Sequence, residues 1–344
     1  MKLDDINYTL PTAQISREDF NKEKWLENNP IDYFKLIYVL FDTTNNAPKD
    51  MPREMAMDMA FQSMHPVTRL YIPDILYKFY SFTHDRKLNN KKLATLKNKQ
   101  IFMSDIKDFN DPFDGKAFFY NHSELKDIKR LVPHNGRIVD DFTSYLKGTA
   151  LTENDVNCMP MWAHYSNNHQ GFCVSYDMKN PDNQVMRSCT FPIQYTDQRL
   201  DITNFMKKYA KMIEAEVDKQ ISQGKRQIYI SDKSIIYLTQ YLSNIKHLTW
   251  QYEKEYRCSI GATPQNAPYI NATPRAIYIG MNCNEKNRKK LIDIAKKLSI
   301  SIYQMEFNEL SDNYTLQAKI LKEQLNTKNG WAKTKMAKLN SLFK

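Results

Sequence analysis

The sequence has few of the residues that loosen or interrupt a fold. Its 344 residues include only 8 glycines and 14 prolines, against 21 tyrosines and 17 phenylalanines. Side chains of this kind can bury enough apolar surface to offset the conformational entropy that folding removes. The composition therefore excludes a largely disordered chain, and neither an internal repeat nor a low-complexity segment is visible in it.

Cysteine pairs at short spacing are also missing. The five cysteines, which are Cys158, Cys173, Cys189, Cys258 and Cys283, are odd in number and far apart, and none belongs to a C-x-x-C motif. Zinc ribbons and dithiol redox sites need such motifs, so the pattern argues against both. We expect reduced thiols, most of them buried.

Long apolar runs are absent too. No stretch approaches the roughly 20 apolar residues that a helix needs to cross a bilayer. The first residues, MKLDDINYTLPTAQ, have neither the basic start nor the apolar run of a signal peptide. We expect a cytoplasmic protein that does not contact the membrane.

Positive charge is in excess. The 49 basic and 39 acidic residues give a formal net charge of +10, which attracts polyanions such as nucleic acids. The basic residues are concentrated between Arg86 and Lys99 and in the tail after Glu323. Each cluster is equally typical of a solvated helix face or a basic terminus, so both interpretations stay open.

The periodicity of the apolar residues predicts an α+β fold in three parts. Residues 1–74 form a helical lead, residues 75–306 an α+β catalytic domain, and residues 307–344 a basic helical tail. Within the middle part, strands are predicted near residues 76–82, 101–104, 172–176, 188–195, 256–261, 274–280 and 299–307. Helices are predicted near residues 88–98, 121–150, 203–223, 233–249 and 284–298.

The first motif that could carry chemistry is F-N-D-P-F-D, Phe109–Asp114. Asn110 and Asp111 can bond their own backbone, and Pro112 fixes a turn. The motif is either an ordinary loop or a loop that presents Asn110 and Asp111 to a ligand.

The second motif is W-A-H-Y-S-N-N-H-Q-G-F-C, Trp162–Cys173. His164 and His169 supply a titratable pair, and Tyr165 supplies a hydroxyl group and an aromatic face. Because the histidines are five residues apart rather than four, and no third ligand is evident, we expect no metal site.

The third motif is W-Q-Y-E-K-E-Y-R, Trp250–Arg257. If the following strand extends back over it, Glu253 and Glu255 point to the same side. Two carboxylates on one face repel each other, which raises one pKa and suits acid/base chemistry. A surface ladder of alternating charges is the other interpretation.

Together these motifs resemble the bacterial family known as domain of unknown function 2971. The resemblance covers about residues 75–306 and also includes Leu76–Phe79, Ile101–Ser104 and Ile277–Gly280. Many members have an arginine where this chain has Tyr80, and the family pattern has a phenylalanine at Met103.

The layout of that family is similar to an ADP-ribosyltransferase core with central mixed and antiparallel sheets, which implies NAD as the substrate. On this hypothesis Glu255 is the catalytic carboxylate, Glu253 faces the acceptor, and Tyr165 stacks on nicotinamide. Lys78 or His164 steadies the phosphates or the ribose. The remaining residues expected to contact NAD are Tyr80, Asn110, Asp111, Trp162 and His169. The substitution Glu255→Gln should then abolish NAD turnover and leave the fold intact.

The resemblance also implies a bacterial toxin or phage-defence effector, with an antitoxin protein as a partner. The positive charge of the chain makes RNA or DNA a reasonable acceptor. Two other functions remain open. His164, His169, Asp111 and Glu255 could serve a phosphoester hydrolase. Alternatively, Trp162, Tyr165 and Trp250 could stack on bases in a nucleic-acid-binding module without catalysis.

Overall fold

The protein is α+β, with helices and both parallel and antiparallel strands. The computed structural model describes residues 1–3, 21–138, 144, 146–230, 232–261 and 268–322. The chain forms two compact units. Unit 1 comprises residues 1–72, 103–150 and 187–268, and unit 2 comprises residues 73–102, 151–186 and 269–344. Within the described residues no helix has both the length and the apolarity that crossing a membrane requires.

Unit 1 is built mainly from helices. These are α1 (Lys22–Asn28), α2 (Tyr33–Asn45), α3 (Arg53–Leu70), α7 (Thr203–Ser222) and α8 (Ser234–Leu242). Its strands are β3 (Ser104–Asp105), β4 (Phe118–Phe119), β5 (Leu146–Thr152), β7 (Thr190–Pro192), β8 (Gln194–Thr196), β9 (Leu200–Asp201), β10 (Ile245–His247) and β11 (Glu255–Gly261). The chain passes from unit 1 to unit 2 within β5, after Ala150.

The core of unit 1 lies where helices α2, α3 and α8 meet. Ile37 of α2, Met57 of α3 and Leu238 of α8 are almost completely buried in one apolar cluster. Each helix supplies one apolar stripe at helical spacing, which is the pattern that predicted the helices. Around this core, strand β11 pairs with β7 antiparallel and lies next to β5, and β10 pairs with β8 in parallel.

Unit 2 contains a mixed sheet with the strand order β15, β14, β13, β6, β1. Its strands are β1 (Ile75–Tyr80), β2 (Gln100–Phe102), β6 (Phe172–Asp177), β12 (Tyr269–Asn271), β13 (Pro274–Ile279), β14 (Ser301–Phe307) and β15 (Leu316–Lys322). Its helices are α4 (Arg86–Lys97), α5 (Met159–Tyr165), α6 (Gln184–Ser188) and α9 (Glu285–Leu298), of which α6 runs two residues into unit 1. Strands β13 and β14 are parallel because α9 connects them, and the other neighbours are antiparallel.

Most predicted elements are confirmed, but two of the helices predicted in the middle part are wrong or too long. Residues 121–150, predicted as helix, contain two short 3₁₀ turns, His122–Leu125 and Val132–His134, and then β5. Pro133 and the left-handed Asn135 and Gly136 interrupt any longer helix there. The predicted helix 233–249 ends at Leu242 and is followed by β10.

The end of the described chain also differs from the prediction. A helix was predicted from about Asp312, but Leu316–Lys322 form β15, which pairs antiparallel with β14. The alternation of apolar and polar residues in this stretch fits a strand, and the neighbouring edge of β14 supplies the hydrogen bonds. Residues 323–344 of the predicted tail lie outside the described residues. The three-part division at residues 74 and 306 stays a prediction.

The cysteines are reduced as predicted, but the expectation that most of them are buried is wrong. All five are free thiols, Cys173 and Cys258 are buried, and the other three are half-buried. Burial raises the pKa of the Cys173 thiol well above its ordinary value, so this thiol stays protonated and unreactive.

Candidate functional site

The loop Phe109–Asp114 in unit 1 is held by its own hydrogen bonds. Asp111 Oδ1 accepts the backbone N–H of Phe113 at 2.9 Å, and the Asp111 carbonyl accepts the N–H of Asp114 at 3.0 Å. The predicted self-bonded loop is therefore confirmed at Asp111, whereas Asn110 is exposed. The Oδ2 atoms of Asp111 and Asp114 are buried, and neither has a hydrogen-bond partner among the described residues.

The segment Trp250–Arg257 does not form one continuous strand. A 3₁₀ turn covers Leu248–Glu253, Lys254 has a left-handed backbone with φ of 44°, and β11 begins at Glu255. The alternation on which the predicted glutamate pair depended is therefore wrong before Glu255. The two carboxylates nevertheless come together, because one lysine binds both.

That lysine is Lys246, on β10. Its Nζ donates to Glu253 Oε2 at 2.6 Å and to Glu255 Oε2 at 2.9 Å. On the other side of Glu255, the Arg257 Nη2 donates to Glu255 Oε1 and to Asp114 Oδ1, each at 2.8 Å, and the Nη1 group donates to the Ser243 carbonyl. We refer to Asp114, Lys246, Glu253, Glu255 and Arg257 as the charge cluster.

The charge cluster is almost completely shielded from solvent. Its members are between 0% and 5% exposed. Three carboxylates and two cations leave a net charge of −1 when all are ionised. A buried excess charge is costly, and the usual response is a shifted pKa that lets one group become neutral.

The directions of the pKa shifts indicate which of these carboxyl groups binds a proton more readily. Burial raises the pKa of Asp114 above its ordinary value, and the repulsion from Glu255 adds to this although Arg257 opposes it. Burial also acts to raise the pKa of Glu255, but the attraction of Arg257 and Lys246 is greater, so that pKa is lowered. A raised pKa in the glutamate pair is therefore wrong for Glu255. Of these two carboxyls, Asp114 takes up a proton first.

Lys246 connects the charge cluster to a cleft of about 500 Å³ in unit 1. Its Nζ lies 4.7 Å from the centre of the Trp250 ring, a cation–π contact. Burial lowers the pKa of Lys246, but Glu255 and Glu253 reverse this and raise it, so the lysine stays charged. The lining of this cleft, which we call the unit 1 cleft, includes Asp111, Phe113, Lys116, Arg199, Lys246, His247 and Trp250.

The motif Trp162–Cys173 lies in unit 2 and makes a tight turn between α5 and β6. Asn167, Asn168 and His169 all have left-handed backbones, with φ between 52° and 64°. At Gly171 an added Cβ would lie 1.9 Å from the Tyr80 carbonyl oxygen, and at Gly280 it would lie 2.2 Å from the His169 carbonyl oxygen. Glycine at both positions therefore serves close packing of backbone against backbone.

The aromatic residues of this motif divide between core and surface. Trp162 is fully buried, stacks on His169 with ring centres 5.8 Å apart, and packs edge-on against Phe79. Burial lowers the pKa of His169, whose Nδ1 has no partner among the described residues. His164 is exposed and Tyr165 is half-buried.

Lys78 and Tyr80 of β1, which were predicted to bind NAD, lie on the face of the strand opposite to Phe79. Tyr80 stacks on Phe172 at 4.8 Å, and Lys78 lies 5.4 Å from the Tyr80 ring. Side chains alternate along a strand, so Lys78 and Tyr80 face away from the side on which Phe79 contacts Trp162. Within unit 2, Lys78 and Tyr80 therefore do not share a surface with Trp162 and Tyr165, and a single pocket lined by all four is not formed there.

The sequence missed three members of the charge cluster, which are Asp114, Lys246 and Arg257. Arg257 had a signal, because it stands two residues after Glu255 on a predicted strand and so shares its face. Lys246 had a weaker signal, since it was assigned to a helix. No group of three or more histidine, cysteine, aspartate or glutamate side chains in the described part of the chain is arranged to hold a metal ion.

Comparison with protein families bears on the motifs. The model described as "Protein of unknown function (DUF2971)" matches residues 161–258. This segment is a DUF2971 region. The match begins one residue before Trp162 and ends one residue after Arg257, so it spans the second and third motifs and supports the predicted family. No curated protein and no solved structure matches the chain.

Proposed function

We propose that this DUF2971 protein is an ADP-ribosyltransferase that cleaves NAD, and that the unit 1 cleft binds the NAD molecule. The supporting observation is that this cleft combines an aromatic face at Trp250, exposed positive charge at Lys116 and Arg199, and a carboxylate at Asp111. NAD carries two aromatic rings and a pyrophosphate, so its recognition needs these groups. Ligand pockets in proteins commonly measure about 300–1,000 Å³, which includes this cleft.

The proposed reaction breaks the bond between the ribose C1′ atom and the nicotinamide nitrogen. The bonding electron pair leaves with nicotinamide, and the ribose becomes an oxocarbenium-like cation. A lone pair from an oxygen or nitrogen of the acceptor then forms the new bond to C1′, and the acceptor loses a proton. A fixed carboxylate stabilises the cation, and a base accepts the proton.

The geometry favours Asp111 over Glu255 for the carboxylate that meets the ribose. Both oxygens of Glu255 are bonded to cations, so neither is left for a ligand. Asp111 lines the cleft and has one oxygen without a partner among the described residues. In this proposal Glu255 and Glu253 are positioning residues, which fix Lys246 under Trp250. The roles predicted for the residues of unit 2 stay predictions.

The decisive experiment incubates the full-length protein with NAD and a bacterial lysate and measures nicotinamide release by chromatography. Removing one stacking partner costs about 1–3 kcal/mol, so Trp250→Ala should weaken NAD binding about tenfold or more. Tyr229→Ala, which removes an aromatic ring that is 77% exposed elsewhere in unit 1, should have no effect. Equal nicotinamide release by the wild type and Trp250→Ala would contradict the assignment of the cleft.

One observation favours a second candidate, cleavage of phosphoesters. His247 lines the same cleft, and its Nδ1 lies 3.0 Å from Thr249 Oγ1, which orients the ring. An oriented histidine can act as a general base towards an RNA hydroxyl group. Labelled RNA incubated with the protein, with and without EDTA, separates the two functions. Shortened RNA without nicotinamide release would favour the hydrolase.

A further inference from the structure

Two exposed phenylalanines flank an arginine beside the unit 1 cleft. The Arg199 guanidinium lies 6.0 Å from the centre of the Phe113 ring and 5.5 Å from that of Phe119. Phe113 is 55% exposed and Phe119 is 42% exposed. Apolar rings of this size are normally covered, so two of them on either side of a cation make an unusual surface. We refer to Phe113, Arg199 and Phe119 as the platform.

The platform is held in place by the backbone. Arg199 Nε donates to the Lys116 carbonyl at 2.8 Å, and Nη2 donates to the Phe118 carbonyl at 2.5 Å. Strand β4, which carries Phe119, pairs in parallel with β9, which begins one residue after Arg199. The guanidinium is therefore fixed before any ligand arrives. Its Nη1 has no partner in the part of the chain that the structure describes, so one donor group is available.

The charge beside the platform favours an anion. Lys116 and Arg199 are both exposed, and neither forms an ion pair with another described residue. The acidic residues of the cleft lining are Asp111, which is buried, and Asp197, which is exposed. Two exposed cations without ion pairs and two exposed aromatic rings match a ligand that alternates phosphates with flat rings.

We propose that the platform binds single-stranded nucleic acid and that this nucleic acid is the acceptor of ADP-ribose. Unpaired bases stack on Phe113 and Phe119, and a backbone phosphate accepts hydrogen bonds from Arg199 and Lys116. Duplexes are excluded because their bases are already stacked on one another. Phe113 and Arg199 belong to both the platform and the cleft lining, so a bound strand lies beside the proposed NAD site.

This inference rests on the proposed function for its chemical step. A nucleophilic nitrogen or oxygen of the bound strand donates its electron pair to the ribose C1′, nicotinamide leaves with the electrons of the broken bond, and the nucleophile loses one proton. The strand thereby gains one ADP-ribosyl group, and no oxidant or metal ion is consumed.

The binding step can be measured without NAD. Fluorescence anisotropy of a labelled 20-nucleotide polyuridylate with the full-length protein should show binding, and a duplex of the same length should bind much more weakly. Stacking contributes about 1–3 kcal/mol per base, so Phe113→Ala and Phe119→Ala should each weaken binding of the single strand by about tenfold. Phe307→Ala removes a ring that is 62% exposed in unit 2 and should leave the affinity unchanged.

The outcomes distinguish this inference from the proposed function. No binding of the single strand overturns the platform as a nucleic-acid site. Equal binding by the wild type and both platform variants also overturns it, because the strand then binds elsewhere on the protein. Two results together support both proposals. The single strand binds in a way that depends on the platform, and after incubation with NAD its mass increases by one ADP-ribosyl group. Nicotinamide release without a modified strand overturns the acceptor alone, and platform-dependent binding without nicotinamide release overturns the transferase.

Discussion

Glu255 contacts both cations of the charge cluster, so its substitution tests how far the fold depends on that cluster. Breaking a buried ion pair by removing one partner costs about 3–5 kcal/mol. Glutamine keeps one acceptor oxygen, so we expect Glu255→Gln to lower the free energy of unfolding by about 3 kcal/mol, the lower end of that range. Urea denaturation followed by circular dichroism measures this change.

The matched control is Glu306→Gln, which removes a carboxylate from an exposed pair with Lys319. Exposed pairs contribute about 0–1 kcal/mol, so this variant should unfold nearly as the wild type does. Equal stability of Glu255→Gln and the wild type would show that the cluster does not support the fold. If Glu255→Gln destabilises the protein as expected here, loss of NAD turnover in this variant does not by itself identify a catalytic glutamate.

Asp114 makes the stability of the protein depend on pH. Its folded-state pKa is raised by burial, so the folded protein holds a proton more tightly there than the unfolded chain does. The stabilisation is complete below the unfolded pKa of about 4 and is lost as the pH rises through the folded pKa. Asp114→Asn removes this ionisation and keeps an acceptor for Arg257.

We therefore expect the stability of Asp114→Asn relative to the wild type to increase as the pH rises from about 4 towards neutrality. Urea unfolding at several pH values measures the difference between the two proteins. Asp105→Asn, at a half-buried pair with Lys147, serves as the control, because it removes a paired carboxylate that lies outside the charge cluster. A relative stability of Asp114→Asn that falls with rising pH would contradict the assignment of the proton to Asp114.

At the scale of elements, the turn between α5 and β6 depends on two glycines. An added methyl group at Gly171 or Gly280 would lie about 2 Å from a backbone carbonyl oxygen, which cannot move aside as a flexible side chain can. Gly171→Ala should therefore lower the free energy of unfolding by at least about 3 kcal/mol. At Gly261, by contrast, no atom of the described residues lies within 4 Å of an added Cβ, so Gly261→Ala should change stability by less than about 1 kcal/mol. Thermal unfolding of the two variants and the wild type compares them directly.

The sequence predicted elements well where one face of a helix or strand meets a core. In the predicted helical lead, the methionine-rich α3 begins at Arg53, and its Met57 and Met64 are buried while Met55 and Met59 are exposed. The strand, helix, strand order of β13, α9 and β14 is likewise confirmed. In each case the spacing of apolar residues within one short stretch of sequence shows which face of the element is buried.

Prediction was weaker where distant contacts decide the structure. Strand β6 was predicted, but its sequence did not reveal that residues 172–176 are all buried, because both faces of this central strand are covered. β15 was assigned to a helix, because its pairing with β14 depends on a partner that local periodicity does not reveal. The proximity of Glu253 and Glu255 was predicted correctly, but for the wrong reason. Lys246 brings the two carboxylates together although the backbone between them is not extended.

At the scale of the whole molecule, the family and its motifs were predictable from the sequence and the cleft was not. Residue patterns located the family region, which the match over residues 161–258 supports. The unit 1 cleft is lined by three separate stretches of the chain, around Asp111, Thr196 and Lys246. Only the fold brings these stretches together. The sequence therefore gave no indication that Lys116, Arg199 and Phe119 lie near one another.

The net charge of +10 predicts that nucleic-acid binding weakens as the salt concentration rises. Each phosphate that a protein cation neutralises releases a condensed counterion, and for single strands this contributes a slope of about −0.7 to the plot of log affinity against log salt. If Lys116 and Arg199 each neutralise one phosphate, they account for a slope of about −1.4. A steeper total slope measures the contribution of the other basic residues.

Lys116→Gln should therefore reduce the magnitude of the slope by about 0.7, with a similar loss of affinity for every single-stranded sequence. Lys107→Gln removes another exposed lysine of unit 1 that does not line the cleft, and it should leave the slope unchanged. Anisotropy titrations of the labelled polyuridylate between about 50 and 200 mM salt give both slopes. Equal slopes for Lys116→Gln and the wild type would place the phosphate contacts away from the platform, because a lysine that binds no phosphate releases no counterion.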